Sequence, residues 1–217
     1  MSNNKSKVAV IGTGNIGKAV AANLVKGNRP VIIASRKAED AEALAESLGG
    51  LATASTVKSA IERTDIIILA VWFDTIKELL NTYSSEFQDK IIIDPSNPIA
   101  PDGEGGFKKI IGENESSGEI LAGLLPKGAT LAKAFGTLGA GSLKSEAHRT
   151  SKKAVLIYAT DDTGINEKIE ELIRDSGFDP FRVGGIDQSI RIEVFGDLHE
   201  FGALGKAVTA RELKEIV

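Results

Sequence analysis

Two hydrophobic rhythms alternate along the chain. Short β-branched runs at Lys7–Ile11, Val31–Ala34, Ile66–Val71 and Lys90–Asp94 read as strands buried on both faces. Between them, apolar positions recur at helical spacing over Ile16–Lys26, Ala38–Leu48, Val57–Glu62 and Thr75–Thr82. A shorter Leu51–Ala54 segment reads as one more strand. Strand and helix alternating in this way predict an α/β fold, doubly wound around a mostly parallel sheet.

The rhythm breaks between Asp94 and Gly106, where three prolines and three glycines predict the least regular stretch and a hinge. Beyond it the pattern predicts a helix near Ser117–Leu125, a strand at Thr130–Phe135 and a glycine-rich loop from Gly136 to Gly141. A strand at Ala154–Ala159, a helix at Ile165–Ser176 and a strand at Pro180–Val183 follow. Thr209-Ala-Arg-Glu212 has the spacing of a capping box and is expected to start a last helix. We therefore expect residues 1–98 to form one half and residues 99–217 a smaller α/β extension that completes a cleft, the whole being one compact domain.

The junction of the first strand and helix carries the sharpest chemical signal. Gly12-Thr-Gly-Asn-Ile-Gly17 follows an apolar run and opens a helical pattern, the arrangement of a Rossmann-type dinucleotide-binding turn. Gly12 allows a sharp exit from the strand, Gly14 lets backbone N–H groups approach a pyrophosphate, and Gly17 lets the helix pack closely. The helix N-terminus then faces the anion. About twenty residues further on, where an NAD site usually carries a carboxylate, the chain has Ser35-Arg36-Lys37. A hydroxyl and a guanidinium suit a 2′-phosphate, so NADP(H) is expected over NAD(H).

The ends of the next strands are expected to line the same crevice. Ala70 and Val71 are small enough to let a cofactor pass, and Trp72 reads either as a cover for it or as a core aromatic. Asn97, in the Asp94-Pro-Ser-Asn-Pro98 turn, reads either as a ligand contact or as the closer of an Asx-type turn. Lys133 is open to two readings, a donor in the cleft or a snorkelling surface residue. His148 and His199, the two histidines, lie in no nucleophile or metal pattern. No Tyr-x-x-x-Lys or Ser-x-x-x-Lys pair occurs, so no catalytic acid–base residue and no metal ligand is expected. A hydride exchanged between two stacked planar rings needs none.

Composition narrows the classes further. The chain has 217 residues, a net charge of -4 and no cysteine. This excludes disulfides and thiolate sites, and gives no electrostatic case for nucleic acid or an anionic membrane. The polar first seven residues and the lack of a long apolar run point to a soluble cytoplasmic protein. A homodimer is a plausible assembly. Lys144, Arg149, Lys152 and Lys153 form a basic cluster, which reads as a solvated loop or as a site welcoming an anionic substrate.

Five segments together resemble the NADPH-dependent F-420 reductases, the deazaflavin:NADP oxidoreductases, and the related reductase domain of ferric-reducing membrane proteins. They are Gly12–Lys18, Ala34–Lys37, Leu69–Trp72, Asp94–Pro98 and Lys133–Thr137. The resemblance implies hydride transfer between nicotinamide C4 of NADP(H) and C5 of coenzyme F-420, a flavin or a related small-molecule acceptor. It implies that Thr13, Asn15 and Ile16 join the glycines at the pyrophosphate. Ser35 and Arg36 would take the 2′-phosphate, with Lys37 beside them. Ala70, Val71, Trp72 and Asn97 would flank the cofactor, and Ala134, Gly136, Thr137 and Leu138 would face the second ring. Where that family usually carries Asn or His, this chain has Gly136, which is expected to widen the pocket. The segment Gly196–Gly202 receives no role. Two other classes remain: an imine or carbonyl reductase resembling pyrroline-carboxylate reductases, with Lys133 or His199 as proton donor, and a non-catalytic NADP(H) sensor.

Overall fold

The computed structural model describes residues 5–217; the first four positions of the polar leading stretch lie outside them. Strand β1 (Val8–Ile11) leads into helix α1 (Asn15–Lys26), followed by β2 (Val31–Ala34), α2 (Ala38–Leu48), β3 (Ala52–Ser55) and α3 (Val57–Arg63). Next come β4 (Ile66–Leu69), α4 (Phe73–Thr82) and β5 (Ile91–Asp94). The β-branched runs form strands because both faces are covered. Successive side chains point to opposite faces, so Val8, Val10, Ile66, Ile68, Ile91 and Ile93 enter one apolar cluster, while Ala9, Ile11, Ile67, Leu69 and Ile92 enter the other. Each fully buried isoleucine contributes roughly 1.5–3 kcal/mol of hydrophobic stabilisation.

The second half continues the same sheet. After β6 (Ile99–Pro101), β7 (Phe107–Lys109) and α5 (Ser117–Ala122) come β8 (Thr130–Lys133), α6 (Ala140–Ser145) and β9 (Val155–Ala159). The chain closes with α7 (Asn166–Asp175), β10 (Asp179–Gly184), α8 (Ser189–Ile192) and α9 (Ala210–Lys214). The strand order is β10-β9-β8-β5-β4-β1-β2-β3. The six neighbours β8-β5-β4-β1-β2-β3 run parallel, and the doubly wound expectation holds. β9 runs antiparallel to β8, joined at Lys133 and Ala159, and β10 is parallel to β9. The last two strands therefore stand reversed beside the carboxyl edge of the others, a direction that apolar runs alone do not encode.

Three expectations need correction here. The Pro/Gly-rich stretch is not a hinge of loose chain. It holds the antiparallel β6–β7 hairpin, whose tip is tied by the Asp102 carboxylate accepting from the N–H groups of Glu104 and Gly106 at 2.8 and 2.9 Å. The Gly136–Gly141 loop passes straight into α6, and α8 forms where no helix was expected. The capping box at Thr209 and Glu212 is present as read. Among the described residues, no helix is long and apolar enough to cross a membrane, and no group of three or more His, Asp or Glu could hold a metal ion.

Candidate active site

The β1–α1 turn assigns a distinct task to each glycine. Gly12 has φ +115°, and a Cβ there would lie 2.2 Å from the carbonyl oxygen of Ala70 and 2.9 Å from Val71 Cγ1. The turn thus packs directly on the chain leaving β4, whose half-buried Ala70 and Val71 form its floor. A Cβ at Gly17 would lie 2.0 Å from the Gly12 carbonyl oxygen, so the first turn of α1 can only close around a glycine. Gly14 differs: nothing lies within 4 Å of where its Cβ would be. Its missing side chain leaves open approach to the helix N-terminus.

That N-terminus suits an anion. α1 has no capping side chain and no acidic residue in its first turn, so its leading N–H groups meet no carboxylate of their own. Asn15 is exposed and Ile16 half-buried beside it. Thr13 donates its hydroxyl to Ser35 Oγ at 3.2 Å, joining the glycine turn to the end of β2. Arg36 and Lys37 are exposed just beyond. Trp72 leaves β4 with 59% of its surface in solvent, so it is not a core aromatic. These residues fit a dinucleotide: glycines open to a pyrophosphate, an uncapped helix end, and exposed cations beside the second strand.

The ends of β5 and β8 are built differently. Lys133 is 2% exposed and does not snorkel. Its ammonium donates to Asp94 Oδ2 at 2.7 Å, to Ser117 Oγ at 2.8 Å and to the Ser96 carbonyl oxygen. Ser117 in turn donates to Glu193 Oε1 at 2.8 Å, which also accepts from the Gly118 N–H at 3.1 Å. The other Asp94 oxygen accepts from the Ser96 N–H at 2.7 Å, so Asp94 closes the Asx-type turn that Asn97 was weighed for. Asn97 instead accepts from the Val194 N–H at 2.7 Å and donates to the Gly136 carbonyl oxygen at 3.3 Å. Both its polar groups brace the site from behind.

The segment without a role in the sequence, together with the residues just before it, is a strap over the β8–α6 loop. Glu193 enters the buried network and Val194 hangs from Asn97. His199, buried, has Nε2 2.8 Å from the Gly136 carbonyl oxygen and accepts at Nδ1 from the Phe201 N–H at 2.9 Å. These two contacts fix the neutral tautomer with hydrogen on Nε2, and burial pushes the imidazole pKa below its ordinary value. The Glu200 N–H donates to the Thr137 carbonyl oxygen at 3.0 Å, and its carboxylate accepts from the Gly139 N–H at 2.6 Å and from Ser142 Oγ. No local pattern could have announced the contacts to Gly136, Thr137, Gly139 and Ser142, which span some sixty residues of sequence.

Gly136 corrects a further expectation. A Cβ there would lie 2.7 Å from the Pro95 carbonyl oxygen, so its absence lets two backbones touch rather than widening a pocket. Ala134, Thr137 and Leu138 are buried as well, with Thr137 Oγ1, Ser96 Oγ and Glu193 Oε2 lacking a protein hydrogen-bond partner. In the basic cluster, Arg149 pairs with Glu146 at 2.6 Å, while Lys144, Lys152 and Lys153 are exposed. His148 faces the Asn23 carbonyl oxygen at 2.9 Å and takes no part in the crevice.

The chain is 27% identical over 187 residues to the Metalloreductase STEAP3 of Rattus norvegicus, covering 86% of this chain and 36% of that protein. It thus spans about a third of that curated relative's length. A hypothetical protein of Sinorhizobium meliloti superposes with a TM-score of 0.82 at 27% identity, covering 96% of this chain and 97% of the other. A pyrroline-5-carboxylate reductase from Coxiella burnetii shares the fold at 15% identity and a TM-score of 0.65, over 89% of this chain and 65% of its own. The matching family model spans the glycine turn, Ser35-Arg36, the end of β4 and the Asp94–Pro98 turn. Over residues 7–98, the chain matches the family model described as NADP oxidoreductase coenzyme F420-dependent.

Proposed function

We propose that the protein is an NADP(H)-dependent oxidoreductase that exchanges a hydride with a planar ring acceptor, a deazaflavin or a flavin. The observation that carries this reading is the open, uncapped turn at Gly14 joined through Thr13 and Ser35 to the exposed Arg36. In it, the N–H groups of Thr13–Gly17 hold the pyrophosphate, while Ser35, Arg36 and Lys37 take the 2′-phosphate. Ala70, Val71 and Trp72 flank the cofactor where it leaves the turn. When bound, nicotinamide supplies or takes a hydride at C4.

The state of the polar groups supports ring-to-ring transfer over imine or carbonyl reduction. All three ammonium protons of Lys133 are engaged, and both nitrogens of His199 are spent on the backbone. Neither is free to protonate a substrate. The strap and the Gly136–Leu138 backbone instead form a firm boundary against which a flat acceptor is held at the nicotinamide side.

Two measurements test the reading. Arg36→Ala should weaken NADPH binding relative to NADH by roughly 1.5–3 kcal/mol, the worth of a charge-assisted contact; calorimetry with both cofactors reads it. Purified protein mixed with NADPH and riboflavin, FMN or a deazaflavin should lose nicotinamide absorbance. NADPH binding without oxidation by any of these acceptors would overturn the proposal.

A further inference from the structure

Phe195 is an anomaly on the strap. It has φ +75°, a left-handed backbone that glycine adopts freely and an aromatic residue rarely does, and 55% of its surface is exposed. The fold fixes its place from both sides. On one side, Val194 hangs from Asn97 and Glu193 is locked into the Lys133 network. On the other, a Cβ at Gly196 would lie 2.4 Å from the Arg191 carbonyl oxygen and 2.5 Å from that of Ile190, and a Cβ at Gly202 would lie 1.9 Å from the Gly196 carbonyl oxygen. The turn is as tight as backbone allows, and its one strained position carries a bulky ring turned to solvent.

The backbone just before that ring is held by Asn97, whose amide bridges the Val194 N–H and the Gly136 carbonyl oxygen. The backbone entering Phe195 is thereby tied to the β8–α6 loop, which leaves the carboxyl end of β8. A strained conformer persists only when the surroundings over-determine it, and such positions gather at ligand clamps. An exposed aromatic face at this edge suits a flat conjugated ligand, which stacks on it in offset geometry.

We infer that Phe195 is the residue that selects the acceptor, stacking its ring on a planar tricyclic system of the flavin or deazaflavin class. The inference rests on the proposed hydride transfer for its biological meaning, but the stacking contact is measurable without turnover. The probe is riboflavin, whose fluorescence is quenched by stacking on an aromatic ring, titrated with full-length protein in the presence of NADP+.

Wild-type protein should quench riboflavin saturably, and Phe195→Gly should weaken that binding by about tenfold or more, with Phe195→Tyr retaining it. Because glycine relieves the left-handed strain, Phe195→Gly should melt at the wild-type temperature or up to about 3 °C above it. NADP+ affinity should not change. Equal riboflavin binding by Phe195→Gly and wild type, or none by wild type, would overturn the inference. So would a melting temperature several degrees lower, or a smaller mass by light scattering, either of which makes the ring a packing or subunit contact. Riboflavin binding that depends on Phe195 without any NADPH oxidation would instead sink the hydride-transfer reading and leave the stacking site standing.

Discussion

The two ends of the crevice are made by opposite means. At the β1–α1 turn the essential features are omissions: no Cβ at Gly12, Gly14 or Gly17, and no carboxylate in the first turn of α1. At the ends of β5 and β8 the essential features are contacts. Lys133, Asp94, Ser117 and Glu193 are bonded to one another in the interior, and Asn97, His199 and Glu200 hold the carbonyl and N–H groups of the facing loop. One end is left open for a ligand's charge; the other is filled by the protein's own. A side chain added at the first end should therefore harm binding and spare stability, while a contact removed at the second should do the reverse.

The largest effect expected from this contrast is at Lys133. Lys133→Met removes a cation from beside two buried carboxylates, and breaking a buried pair by losing one partner costs about 3–5 kcal/mol. The urea midpoint should fall accordingly. A variant as stable as wild type would mean the network is slack and the contrast false.

Gly14→Ala sharpens the other side. Its Cβ meets nothing in the free protein, so stability should change by less than about 0.5 kcal/mol. NADPH affinity should nevertheless drop by about tenfold or more, since the methyl stands where phosphate must approach the N–H groups. Unchanged affinity by calorimetry would remove the turn from the binding site.

His199 gives the smallest effect, read through pH. Burial lowers its folded pKa, so the unfolded chain takes up the proton first as acid is added. Stability present at neutral pH is lost as pH falls below the unfolded value of about 6.5 and on through the lower folded one. The loss is at most about 1.4 kcal/mol per pH unit. His199→Asn should be less stable throughout but flatter between pH 7.5 and 5.5 in urea titrations. Parallel curves for the two proteins would mean that the imidazole is not held neutral by the strap.

The same contrast explains what was legible in the sequence. Strands such as Ile66–Leu69 and helices such as Ala38–Leu48 follow from periodicity, because burial on a given face is a local rule. The roles of Gly12, Gly14 and Gly17 follow from a turn only six residues long. The β6–β7 hairpin was hidden by its prolines and glycines, which read as loop although Pro101 sits at the strand end where no N–H is needed. The reversal of β9, the burial of Lys133 and the role of His199 depend on which strands end up adjacent. Gly136 shows the limit most sharply: glycine reads as free space until the Pro95 carbonyl oxygen is found against it.

Glu200 has one more consequence. At the carboxyl edge, α2 begins with Glu39 and Asp40, α4 with Asp74, and α6 with the carboxylate of Glu200 delivered from afar. Each of these helix ends has its partial positive charge answered from within. α1 does not. A polyanion arriving at this edge meets three berths already neutralised, a fourth at α3 capped by the Thr56 hydroxyl, and α1 with neither carboxylate nor capping side chain, so its polarity along the sheet is biased by long-range fields before any side chain touches it.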